Sequence, residues 1–204
     1  MSYTIVGLGN PGEEYETTRH NVGRMLVECF RKKHDFPEWS EEKKKAKKIG
    51  YVLSKGQIKG KGGKHEVTLV LPEIFMNKSG TSIKPLITSK KKAEHLVVVY
   101  DDIDVGFSEY KISFGRSSGG HRGVESIIKS IKTKDFIRVR VGIAPTTPGG
   151  KIKKPKGEKK ILDFLLGNFG KKETIVFPKI SKTINEILET IIQEGRVSAM
   201  NRFN

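Results

Sequence analysis

The chain has 204 residues, with 39 Lys and Arg against 23 Asp and Glu, a formal charge of +16. That length predicts one compact domain whose core needs no metal or disulfide staple, and a single cysteine, Cys29, excludes an internal disulfide framework and a thiol-based zinc site. No apolar run nears the ~20 residues of a membrane span, and the chain runs directly into Tyr3-Thr4-Ile5-Val6 without a basic leader, so a reduced, cytoplasmic setting is expected.

Tyr3–Leu8 has the pattern of a first strand and ends in Gly7-Leu8-Gly9-Asn10-Pro11-Gly12. From about Asn21, Val22, Met25, Leu26, Cys29 and Phe30 recur at helical spacing, which places Cys29 in the core. Gly50–Ser54 and Glu66–Leu71 are expected to pair as a hairpin. A helix near Lys78 leads to a buried strand at His95–Tyr100, and Tyr110–Phe114 alternates like another. Ser118-Gly119-Gly120-His121 opens a helix with Val124, Ile127, Ile128 and Ile131 on one face. Phe136–Ile143 is the next strand, and helices near Lys160–Leu166 and Ser181–Glu194 close the chain. Alternating helices and strands predict an α/β fold: a single domain, 1–204, with a twisted, mostly parallel mixed sheet flanked by helices on both faces.

The charge is concentrated. Residues 41–64 carry nine Lys and two Glu, and residues 151–160 six Lys and one Glu. Both segments, rich in Gly and Lys, are expected to be loops or hairpin tips near 41–64 and 151–160. They suit either solvation or an electrostatic footprint for a polyanion such as RNA.

In such sheets, ligands gather at the carboxyl ends of strands. Three polar clusters are predicted there: Asn10, Asp101-Asp102, and Ser118 to Arg122. Gly7-x-Gly9-x-x-Gly12 matches a dinucleotide fingerprint in spacing alone, because Pro11 precedes the third glycine and Glu13-Glu14 would face a pyrophosphate. Neither a phosphate-loop motif nor a G-x-S-x-G elbow is present, and the five histidines lack H-x-x-x-H spacing, so no metal site is expected. What remains is an imidazole, His20, and a carboxylate, Asp101. Each suits a structural role alone; converging, they could activate water, the carboxylate orienting the ring.

Taken in order, these motifs resemble the bacterial-type peptidyl-tRNA hydrolase family. The similar segments are Val6 to Gly12 with Tyr15 and Thr18 to Gly23, Pro72 to Gly80 (PEIFMNKSG), and Asp101-Asp102-Ile103-Asp104. Gly119-Gly120-His121, Arg138 to Ile143 and Ala199 to Arg202 follow. The resemblance implies hydrolysis of the ester joining a peptide to the 3′ ribose of tRNA, recycling tRNA from aborted translation by a monomer without cofactor. It implies His20 as catalytic base, Asp101 as its supporting carboxylate, and Asn10 as the residue that tells N-blocked from free aminoacyl groups. Asn77 is the implied substrate-binding asparagine, with Phe75 and Met76 beside it and Tyr15 near the tRNA end. Amides can bond a peptide backbone without reading its side chains, and aromatic faces can stack a terminal adenine.

Two positions depart from the family pattern. Arg122 stands where many members have asparagine, and is expected to grip a phosphate or carbonyl. Arg140 matches one member of a basic pair that clamps the tRNA 5′ phosphate, but the other aligns with Ser113; Lys111, on the same strand face, is expected to compensate. The alternative functions are an RNA-binding relative without catalysis and, more remotely, a dinucleotide enzyme.

Overall fold

The computed structural model describes residues 1–44 and 47–204, with side chains given outside 42–49. The chain opens with β1 (Ser2–Gly7), then two short 3-10 turns at Glu13–Tyr15 and Arg19–Asn21 that lead into α1 (Val22–Lys33). β2 (Ser40–Lys44), β3 (Lys47–Gly60) and β4 (Gly63–Pro72) follow, then a 3-10 turn at Met76–Lys78 continuing as α2 (Ser79–Ile83), and α3 (Lys90–Glu94). The second half holds β5 (Leu96–Gly106), β6 (Tyr110–Phe114), α4 (Arg122–Ile131), β7 (Ile137–Ala144), α5 (Glu158–Leu166), α6 (Lys171–Glu194) and α7 (Arg196–Phe203).

These strands form one seven-stranded sheet in the order β2-β3-β4-β1-β5-β7-β6. The central pairs β4–β1, β1–β5 and β5–β7 are parallel, while β2–β3, β3–β4 and β7–β6 are antiparallel. The centre is thus parallel as expected and the flanks are antiparallel. Both faces are covered, which is why the central strands are continuous apolar runs. Ile5, Val97, Val99 and Val139 face α1, α6 and α7 through Leu26, Phe30, Ile184, Leu188 and Ala199. Val6, Val98 and Tyr100 face α2, α3 and α4 through Ile83, Ala93, Val124 and Ile127. Cys29 is half-buried rather than core, since α1 turns it toward the margin of this layer.

The Lys-rich stretch at 41–64 is largely strand. In β3 exposed Lys55, Gln57 and Lys59 alternate with half-buried Gly56 and buried Ile58, so charge occupies one face of this part of the strand and the true turn is confined to Lys61 and Gly62. Residues 45 and 46 lie outside the described residues. The 151–160 segment is irregular apart from a bridge between Thr146 and Ile152, until α5 begins. The helix expected near Lys78 is two short helices, because Pro85 removes a donor between them. A further helix, α7, follows the last one expected; Gly195 separates its short pattern from α6.

The edge strand β6 has one partner, β7, and its other side is met at Ile112 by the side chain of Asn204. Asn204 Oδ1 accepts the Ile112 N–H at 2.8 Å and its Nδ2 donates to the Ile112 carbonyl at 2.9 Å.

α1 lies unusually close to the sheet. The Leu8 N–H donates to Val99 O and the Arg24 N–H to Leu8 O, so the helix start is bonded into the strand ends. A Cβ at Gly23 would stand 2.3 Å from Val99 O and 2.8 Å from Leu8 N. Gly23→Ala should therefore destabilise the fold by about 1–3 kcal/mol through overpacking against backbone, read as a lower urea midpoint with unchanged slope. An unaltered midpoint would show that this approach is not tight in solution.

Candidate active site

The close seat of α1 carries the 3-10 turn Arg19–Asn21 to Asp101 of β5, two residues past the last residue that pairs with β1. There the His20 Nδ1–H donates to Asp101 Oδ2 at 2.9 Å. The second carboxylate oxygen, Oδ1, accepts from His121 Nε2 at 3.0 Å. Asp101 is 1% exposed and His20 8%. His121 is the N-cap of α4, and its Nδ1 accepts the Val124 N–H at 3.2 Å. That bond puts the His121 proton on Nε2, facing Asp101, and the ionised Asp101 carboxylate, which only accepts, puts the His20 proton on Nδ1. The His20 Nε2 lone pair is left to accept a proton.

The electrostatics follow from the geometry. Burial alone would raise the Asp101 carboxyl, but the two histidines hold it well below the usual carboxylate range. Burial pulls the His20 imidazole down, and Asp101 outweighs it, so the ring stays above its ordinary value of 6.5 although Arg122 opposes. Burial also pushes the Tyr100 phenol up to about 12, with its ring centroid 4.7 Å from that of His121.

His20, Asp101 and His121 place three ligand-type atoms within 4.8 Å of one another, a spacing that could hold a divalent cation. The helix cap argues against that use. A metal at His121 Nε2 needs the ring proton on Nδ1, where the Val124 N–H already points. As arranged, the trio is a hydrogen-bonded set.

Asn10 adjoins this centre, held from two sides. Its N–H donates to Asn21 Oδ1 at 2.8 Å and its carbonyl accepts from Asn21 Nδ2 at 2.9 Å, so a side-chain amide mimics a strand partner. Asn10 Oδ1 accepts the Met76 N–H at 2.8 Å. Its Nδ2 has no protein partner among the described residues and offers two N–H donors to a ligand carbonyl. The same bond anchors the turn that presents Asn77, which is exposed. Met76 itself is 4% exposed and packs in the core, so its contribution is its backbone and not its side chain. Phe75 is 58% exposed and meets Tyr15 edge to face at 6.4 Å, an aromatic pair at the surface.

The remaining expected residues lie apart. Arg122, at the start of α4, is ion-paired with Glu158 at the start of α5, and both are exposed. Lys154 Nζ meets Asp104 Oδ1 at 2.6 Å, so two ion pairs tie the 151–158 segment across a cavity of about 270 Å³ that Asp101 and His121 line. Arg140 Nε donates to Asp102 Oδ2 at 2.7 Å, and Lys111 is its cross-strand neighbour. With Ser113, Arg116 and Arg138 they line a second cavity of about 480 Å³. Arg138 is fully buried and donates to the carbonyls of Arg116, Ser117 and Lys134, so it fixes the loop that delivers Gly119-Gly120-His121.

Two residues of the site, His121 and Asn21, fall within the clusters and motifs read from sequence but are given no role there. His121 has a signal, its place after two glycines at a helix start. Asn21 has none, because its role depends on a backbone eleven residues away. After Gly12 the chain forms a 3-10 turn and not a long helix, so the dinucleotide cradle hinted at by the glycine spacing is not built.

An imidazole–carboxylate pair at β5, near an amide with two donors unpartnered among the described residues, has the make-up of a hydrolase-type site. The peptidyl-tRNA hydrolase sequence profile matches residues 4–204, and the chain belongs to that family. It is 36% identical over 208 residues to the peptidyl-tRNA hydrolase of Thermodesulfovibrio yellowstonii, covering 98% of this chain and 97% of that one. It is 33% identical over 204 residues to that of Chloroflexus aggregans, covering 99% and 98%. The crystal structure of the Acinetobacter baumannii peptidyl-tRNA hydrolase superposes with a TM-score of 0.80 at 28% identity, covering 99% of this chain and 94% of that one. Among the described residues no helix is long and apolar enough to cross a membrane.

The His20 ring should titrate above 6.5 in the free protein, followed by NMR of its carbon-bound protons. Asp101→Asn removes the influence that raises it and leaves burial and Arg122, so the midpoint should fall. An unmoved midpoint would mean that Asp101 does not set the charge of the ring.

Proposed function

We propose that the chain cleaves the ester between a peptide and the 3′ ribose of tRNA, acting in the cytoplasm as a monomer and without a cofactor, with His20 as general base. The observation that supports this most is the His20–Asp101 bond, which leaves His20 Nε2 free beside the donors of Asn10. In this reading a water donates its proton to His20 Nε2 as its oxygen attacks the ester carbonyl. Asp101 stabilises the resulting imidazolium, and the proton returns to the departing ribose oxygen. Asp101 is ready for that role because its carboxylate is already ionised, fixed at both oxygens and screened from water.

Asn10 Nδ2 and the Asn77 amide bind the amide carbonyl that an N-blocked residue has and a free aminoacyl group lacks. A missing partner for a buried donor is costly, which is how such a site discriminates. Tyr15 and Phe75 offer ring faces to the 3′-terminal base. Arg140 and Lys111, opposite one another across β7 and β6, take the 5′ phosphate in place of the clamp residue absent at Ser113. Arg122 exchanges Glu158 for a substrate phosphate or carbonyl, and the lysines of 151–160 add backbone contacts.

The test compares release of N-acetyl-aminoacyl and free aminoacyl groups from one tRNA. Cleavage of the blocked ester alone is expected, lowered about 10²–10⁴-fold in His20→Ala with tRNA binding retained. Tight binding without cleavage by the wild-type protein would identify an RNA-binding relative instead. Replacing Lys153, Lys154 and Lys156 by Ala should flatten the salt dependence of tRNA affinity by about one unit of slope for each phosphate no longer neutralised. An unchanged slope would remove those lysines from the interface.

A further inference from the structure

Arg19 stands next to His20 in the 3-10 turn, and its side chain has other neighbours. Arg19 Nη2 donates to Glu173 Oε2 at 2.7 Å and its Nε to Glu173 Oε1 at 3.4 Å. The guanidinium carbon lies 4.5 Å from the Phe164 ring centroid and 5.6 Å from that of Phe169. The side chain is 14% exposed. A planar cation held by one carboxylate through two donors, and set against two rings, has little freedom left.

The backbone repeats the attachment. The Arg19 N–H donates to the Gly167 carbonyl at 3.0 Å and the Phe169 N–H to the Thr17 carbonyl at 3.4 Å, and Thr18 bridges Asn168 in antiparallel register. Residues 17–19 are thus joined to the corner between α5 and α6, where Phe164, Phe169 and Glu173 lie. That corner is itself fixed. Glu173 Oε2 accepts the Gly170 N–H at 2.6 Å at the start of α6, and the Phe169 ring meets Phe107 and Phe177 with centroids 6.1 and 6.2 Å away.

A turn of three residues has need of such a hold. Its 3-10 hydrogen bonds are poorer than those of an α-helix, and no side chain caps it. On the C-terminal side α1 and Asn21 secure it; on the other, the chain from β1 holds only one further three-residue turn. Arg19 lines none of the cavities of about 270, 450 and 480 Å³ that adjoin Asp101, Asn10 and Arg140.

We propose that Arg19 is a positioning residue, which clamps the turn carrying His20 to the α5–α6 corner and so sets the place of the imidazole without touching substrate or Asp101. This rests on the ester-hydrolase reading of His20.

The experiment compares wild type, Arg19→Ala and Arg19→Lys on N-acetyl-aminoacyl-tRNA and follows the imidazole N–H protons that His20 and His121 give to Asp101. Both are sheltered beside a buried carboxylate, so proton NMR observes them, and His20→Ala assigns them. Arg19→Ala should lower kcat about 10–100-fold with KM within about twofold, and broaden the His20 proton while that of His121 stays sharp. Arg19→Lys keeps a charge for Glu173 but has no plane for the rings, and should lower kcat about three- to tenfold. A raised KM with the His20 proton intact would make Arg19 a substrate contact and overturn the proposal. So would a lower urea midpoint with kcat and both protons unchanged, or the loss of both protons together, since the clamp acts on one turn. If Arg19→Ala does not fold, Arg19→Lys decides on the same readouts. The protons are read without cleavage, so a wild-type protein that cleaves no ester refutes the hydrolase reading separately from the clamp.

Discussion

A single buried carboxylate governs this structure. Asp101, midway along β5, is removed from water, and two imidazoles donate to its two oxygens and favour its charged form. Each donor comes from a different part of the chain. His20 arrives because Gly23 lets α1 lie against the sheet. His121 arrives because α4 begins there and because the buried Arg138 holds the preceding loop through its carbonyls. Losing either imidazole would leave a desolvated charge half satisfied, a far larger cost than losing a surface pair.

The division of labour between the histidines follows from one helix cap. His121 spends one nitrogen on the Val124 N–H and the other on Asp101, and so has no lone pair left for chemistry. His20 spends only one. Two like residues on one carboxylate thereby become a fixed donor and a free acceptor, with the distinction set by backbone geometry. The excess charge of the chain is concentrated elsewhere in the sequence, in residues 41–64 and 151–160.

Much of this is legible in the residues. The central strands announce themselves as unbroken apolar runs because both faces are covered, and β6 and the start of α4 fall where alternation and the glycine pair place them. The Lys-rich hairpin strands are harder, because glycine and lysine mimic loop composition while their two-residue period carries the fold. Cys29 fits the helical stripe but sits at its margin, a matter of where a neighbouring layer ends. His20, Asp101 and Asn10 are visible through motif order. Asn21, and the tautomer of His121, are not, because both depend on hydrogen bonds between segments far apart in the chain. Met76 sits inside a motif and serves through its N–H, which no side-chain pattern reports.

The two margins of the sheet differ. β2 is one edge of the sheet, and its sequence, Ser40-Glu41-Glu42-Lys43-Lys44, is rich in charge. β6 carries only Lys111 as a charge, and the Asn204 amide instead occupies both peptide groups of Ile112. One side chain thus acts as a plug against strand addition. Whatever displaces it frees a donor and an acceptor at once, and turns the quiet margin of the sheet into its most adhesive backbone.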